Sequence, residues 1–189
     1  MGRYLPANRF DVAQLSVMLS QRELRVIRMG FENLREALGW DTDLIIHCHN
    51  EWDVATAIGL AEAVAPVKPL WLEDALPAPY TDGWRQLKLA SPVRIMTGEK
   101  LETARDFLPF VANGAVDVIH PDLAYAGGIT GCRRIAELAE LYYVPVVTHC
   151  VGSLVHMAAT AHFGAATRNF VMSETRLAHP GHLVDQIGT

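Results

Sequence analysis

Six ionisable residues recur along the chain at nearly constant intervals: His47, Glu73, Glu99, Asp122, His149 and Glu174 stand 26, 26, 23, 27 and 25 residues apart. Each lies at or just past the end of a short apolar run: LIIHC, LWLE, VRIMTGE, VDVIHPD, VPVVTH and NFVMSE. Such an interval holds about one strand, one helix and two connections. A chain that loads every strand end of a βα series with an ionisable group is predicted to fold as a parallel α/β barrel, whose C-terminal strand ends build the site. An open doubly wound sheet shows the same alternation. It gathers ligands at a switch point, so only some of its strand ends carry chemistry. Here all of them do, which favours the barrel.

The periodicity between these ends supplies the helices. Residues 1–20, with Pro6, are weakly patterned and read as an N-terminal loop segment. The barrel domain is expected over 21–175, and 176–189 as a C-terminal tail. Leu24, Ile27, Phe31, Leu34 and Leu38 fall at helical spacing over 21–39, with Gly39 as a stop. Further helices are expected over 53–67 with Asp53 as N-cap, and over 84–91, 102–114, 129–143 and 154–166. Strands are expected over 44–48, 70–73, 93–98, 116–121, 144–150 and 169–174. Strict alternation with buried-type strands argues α/β.

Size sets a constraint on this fold. A full eight-unit barrel takes ~250 residues, with a floor near ~200, and this chain has 189. Its formal net charge of -5 gives no electrostatic case for nucleic acid or an anionic membrane. No apolar run approaches the ~20 residues of a bilayer span, and the opening MGRYLPANRFDVAQ has no signal-peptide core. Cys48, Cys132 and Cys150 lack disulfide or zinc-ribbon spacing, which suits a reducing cytoplasm.

The loaded strand ends divide by chemistry. Glu73 and Glu99 on successive ends offer oxygen ligands to a hard cation such as Mg²⁺. Asp122 one unit before His149 makes a dyad in which the carboxylate orients the imidazole as a general base. His47 and His49 form an H-x-H whose rings share a strand face, a metal pair suited to Zn²⁺ or Fe. Glu174 is placed to donate or accept a hydrogen bond opposite the base. His120 is read as turned away from Asp122 and structural. His156 and His162 do not share a helix face, and His179 and His182 lie in the tail; none is a strong candidate. Cys48 and Cys150 are read as packing residues, and Gly127-Gly128 as a helix entry.

The stretches IHCHNEWD, LWLEDALP, TGEKLETARDF, VDVIHPDLAYAGGITGCRRIAELAE, VPVVTHC and NFVMSE resemble the enolase superfamily, in its mandelate-racemase-like sugar-acid dehydratase branch. The resemblance covers residues 44–174 in the family's order. It implies a (β/α)₇β TIM-type barrel, here partial, with about six parallel strands. It implies metal ligands at His47, Glu73 and Glu99, a base dyad of His149 and Asp122, and Glu174 as the eighth-strand acid. His49 then matches the acid that protonates a leaving hydroxyl. The implied chemistry is abstraction of a proton α to a carboxylate, with Mg²⁺ stabilising the enediolate, followed by loss of water.

Three departures from the pattern shape the expectation. The first ligand position holds His47 where the family has Asp, which weakens Mg²⁺ and favours Zn²⁺, Fe²⁺ or no metal. The first two strands and the N-terminal α+β capping domain have no counterpart, and neither does the C-terminal segment that completes the cap. An open barrel of this kind leaves unpaired edges, so a homo-oligomer is expected. The expected function is a metal-dependent acid-sugar dehydratase. A non-catalytic fragment or degenerate homologue, and a racemase, epimerase or cycloisomerase on the same scaffold, are the alternatives. An amidohydrolase-type barrel, which the H-x-H also suggests, does not account for Glu73, Glu99 and Glu174.

Overall fold

Short-range interactions start and stop the helices where the sequence places them. The computed structural model describes residues 18–175, so the expected tail, with His179 and His182, and most of the N-terminal segment lie outside the described residues. Helix α1 (Gln21–Leu38) opens on a capping box: the Ser20 hydroxyl accepts from Glu23 N, and the Glu23 carboxylate accepts from Ser20 N at 2.7 Å. It ends at Gly39, whose N–H donates to Arg35 O and whose positive φ of 71° suits a residue without a Cβ. Asp53 caps α2 (Val54–Val64) by accepting from Thr56 N at 2.8 Å. Helices α3 (Asp82–Ala90), α4 (Ala104–Ala112), α5 (Gly128–Leu141) and α6 (Leu154–Ala165) follow in the expected places.

Between them run β1 (Ile45–His47), β2 (Trp71–Glu73), β3 (Ile95–Thr97), β4 (Val118–Ile119), β5 (Val146–Thr148) and β6 (Phe170–Ser173). All pair in parallel, in the order β1-β2-β3-β4-β5-β6. The strands are shorter than expected because only their central residues meet a neighbour in register. The sheet is a curled half-barrel with β1 and β6 at its edges among the described residues. Its curl is visible in side-chain reach. His120, just after β4, lies 3.6 Å from Glu73 of β2 and 3.8 Å from Glu174 beyond β6.

The two faces of the sheet carry different cores. The helix-facing layer is large and includes Leu72, Trp84, Ile95, Phe107, Phe110, Ile119, Ile135, Val146 and Phe163, all 0–1% exposed. At ~25 cal/mol per Å² of apolar surface buried, this layer supplies most of the fold's driving force. The inner face holds a small separate cluster of Trp71, Met96, Val118 and Val147. Side chains two residues apart on a strand share a face. The next inward positions are therefore Glu73, Gly98, His120 and His149. The apolar plug therefore lies directly below Glu73, His120 and His149 at the C-terminal mouth.

Candidate active site at the mouth of the half-barrel

Parallel pairing carries the dyad together. An isolated parallel bridge joins Asp122 to His149, and His149 N donates to Pro121 O at 3.1 Å. His149 Nδ1 then lies 2.5 Å from Asp122 Oδ2. Asp122 Oδ1 also accepts from Ala124 N at 2.6 Å. Burial opposes ionisation of Asp122, but the His149 hydrogen bond and the Ala124 N–H outweigh it and hold the carboxyl below its ordinary range. Burial likewise pulls His149 down, yet the Asp122 bond and the charges of Glu99 and Glu174 raise its pKa overall. The outer nitrogen, Nε2, faces Glu99 at 3.3 Å and Glu174 at 3.6 Å. Burial raises the pKa of Glu174.

The second group gathers at β1, β2 and β3. His47 Nδ1 is 2.9 Å from Glu73 Oε1, and this bond raises the imidazole to a pKa of about 9. Burial opposes ionisation of Glu73, but the His47 bond prevails and lowers its pKa. Ligand atoms of His47, Glu73, Asp74 and Glu99 lie within 4.8 Å of one another, and so do those of His47, His49 and Glu99. These donors fit a divalent cation. Asp74 Oδ2 adds to the fit, being buried with no hydrogen-bond partner.

Several expectations need amendment. The H-x-H does not share a strand face, because β1 ends at His47. A left-handed turn, φ 57° at His49 and 63° at Asn50, brings the two rings to a stack with centroids 5.4 Å apart. Burial, with Lys100 nearby, lowers the pKa of His49, so its neutral form is favoured. His120 does not turn away. It sits in the mouth between Glu73 and Glu174, edge-on to His149 at 5.5 Å, because Val118 points inward and the alternation repeats two residues on. Cys48 is a packing residue, its thiol pushed up to about 12 by burial.

Sequence reasoning passed over two residues. Asp74 is 1% exposed, accepts from Thr97 Oγ1 at 2.5 Å, and is pushed up to a pKa of about 7 by burial and by the Glu99 charge. His156 Nε2 lies 3.4 Å from Asp122 Oδ1, on the side away from His149's bond. Its position in the first turn of the helix after the His149 strand was the available signal, since that turn faces the mouth.

Comparison with known proteins identifies the family and the fold. The enolase C-terminal domain-like family model matches residues 6–188. A D-mannonate dehydratase of Sphingomonas sp. (strain SKA58) is 33% identical over 173 residues, covering 90% of this chain and 43% of the relative. A D-gluconate dehydratase of Thermoproteus tenax is 32% identical over 79% of this chain and 30% of the relative. The crystal structure of a mandelate racemase/muconate lactonizing enzyme-like protein from Rubrobacter xylanophilus DSM 9941 superposes with a TM-score of 0.85 at 34% identity, over 90% of this chain and 43% of that one. The chain therefore spans less than half the length of these relatives. From residue 6 to residue 188, this chain belongs to the enolase C-terminal domain-like family of the enolase superfamily.

Proposed function

We propose that this chain supplies the catalytic face of a metal-dependent acid-sugar dehydratase. The observation that carries the reading is the dyad: His149 is anchored on Asp122 through Nδ1 and presents Nε2 to the mouth beside Glu99 and Glu174. His149 Nε2 takes the proton α to the substrate carboxylate. Asp122 holds the ring in the tautomer that leaves Nε2 unprotonated, and stabilises the imidazolium afterwards. Glu73, Glu99 and His47 would hold the cation, which when bound supplies positive charge to offset the dianion left by proton loss. Two groups at the rim are placed to protonate the departing hydroxyl, His49 and Glu174. Burial shifts their pKa values in opposite directions, which favours Glu174 as the proton carrier.

Mg²⁺ is the ion this reading starts from, and an acid sugar the substrate. A homo-oligomer without nucleic acid or membrane partners is the expected assembly. Cytoplasmic residence suits the three free, buried cysteines. Among the described residues no helix is long and apolar enough to cross a membrane. One observation favours a second reading, a homologue without turnover: the first ligand position presents an imidazole bonded to Glu73.

Incubation with a panel of acid sugars and a divalent metal in D₂O tests the proposal. The expected result is α-proton exchange and a 2-keto-3-deoxy product by NMR, both lost in His149→Asn. A metal-loaded, folded protein that exchanges no member of the panel supports the second reading and sinks the first.

A further inference from the structure

The donor set at the mouth is not the all-oxygen set that a hard cation selects. Mg²⁺ demands near-octahedral oxygen ligation, whereas neutral imidazole suits Zn²⁺, Fe²⁺ and Co²⁺. Ligand atoms of His47, His49 and Glu99 lie within 4.8 Å of one another, a two-imidazole, one-carboxylate cluster. We propose that His47, His49 and Glu99 form a transition-metal site, with Glu73 orienting His47 from behind. Glu73 Oε1 accepts from His47 Nδ1 at 2.9 Å, so Nε2 is the nitrogen an ion takes by displacing its proton. A ligating histidine commonly gives its other N–H to a carboxylate in this way. This inference rests on the metal-dependent reading for the place of the ion. It changes the ion's identity, moves Glu73 from ligand to the carboxylate behind His47, and takes His49 out of the candidate proton donors.

The backbone is built to hold His49 there. Two consecutive non-glycine residues at positive φ, His49 at 57° and Asn50 at 63°, each carry a steric cost that surrounding structure must offset. Several bonds do so. Asn50 N donates to Asp74 O, Asn50 Nδ2 donates to Leu76 O at 2.7 Å, and Lys100 Nζ donates to His49 O at 3.3 Å. Asn50 is itself buried at 3% exposure, so the turn is pinned from the adjacent β2 loop. The same Lys100 Nζ is 3.5 Å from Glu99 Oε1, tying ligand and turn together. Its positive charge opposes cation binding beside Glu99.

Titration of the full chain with Co²⁺, read by visible absorption and by calorimetry, and with Mg²⁺ by calorimetry, tests the site. The expected result is one Co²⁺ per chain with ligand-field bands of a nitrogen/oxygen site, bound about 100-fold or more tighter than Mg²⁺. His49→Ala should weaken Co²⁺ about 10–100-fold or more and leave Mg²⁺ unchanged. His47→Asp should reverse the preference toward Mg²⁺. Circular dichroism confirms folding, His49→Gln serves as a second variant, and a His179→Ala/His182→Ala chain removes binding by the tail histidines. Equal affinity for Mg²⁺ and Co²⁺, or Co²⁺ binding indifferent to both His49 variants, overturns the site. The two readings fail separately. A His49-dependent Co²⁺ site without proton exchange refutes the dehydratase and upholds the site. Exchange supported by Mg²⁺ with no effect of His49 on metal affinity does the reverse.

Discussion

The imidazole of His120 is 1% exposed, with Glu73 3.6 Å from one ring nitrogen and Glu174 3.8 Å from the other. Neither distance is a hydrogen bond, and Nδ1 is left without a partner. Burial therefore dominates and pushes its pKa down to about 4. The consequence for stability has a definite sign. As pH falls below the unfolded value of about 6.5, the unfolded chain takes up a proton that the folded chain refuses until near 4. Metal-free protein should lose about 1–3 kcal/mol across that window, read as a falling urea midpoint, and His120→Gln should flatten the slope. An unchanged slope in the variant would assign the acid sensitivity to other groups. Asp122→Asn, which leaves the ring of His149 without its carboxylate, should slow α-proton exchange about 10²–10⁴-fold and shift its pH profile. Residue by residue, the places of His47, Glu73, Glu99, Asp122, His149 and Glu174 at successive strand ends were legible from spacing. His120 is read as turned away although the two-residue alternation from Val118 brings it inward, and Asp74 is hidden because its partner Thr97 lies 23 residues away.

At the scale of elements, glycines show where helices and strands come closest. Gly131 lies in the first turn of α5, and a Cβ there would stand 1.7 Å from the carbonyl oxygen of Ala126. That oxygen is backbone and cannot swing aside. Gly131→Ala should therefore destabilise the chain by about 1–3 kcal/mol or more, measured by denaturant unfolding, despite alanine's higher helix propensity. A neutral result would mean that the α5 entry is free to shift. Gly98 follows β3 at a φ of 141°, where a Cβ would meet Phe107 at 2.6 Å. That close approach lets the chain turn from the packed strand to Glu99. Helix existence and order were legible from period and caps, since both are set within one turn of chain. Strand ends were read too long, because pairing depends on a neighbour some 25 residues away rather than on the apolar run itself.

Considered as a whole molecule, the half-barrel exposes two sheet edges among its described residues, β1 and β6. On β6, Val146 pairs Phe170 and Val147 pairs Met172, so Val171 is the extra residue of a bulge, and it is 53% exposed. Bulges blunt an edge, but an exposed apolar edge still favours pairing with another strand. The chain should self-associate with rising concentration in sedimentation velocity, and Val171→Lys should shift it toward monomer. A concentration-independent monomer would refute edge pairing. Local sequence alone determined the βα series, the helix caps and the row of ionisable strand ends, because periodicity and capping act over two to four residues. Tertiary structure alone decided which of those ends converge: the lateral bridge that seats His149 on Asp122, the inward turn of His120, and the left-handed turn that stacks His49 on His47. The physical reason is curvature. Bringing β2, β4 and β6 to one mouth depends on the twist accumulated over a sheet whose members lie tens of residues apart. No short window of sequence carries that sum.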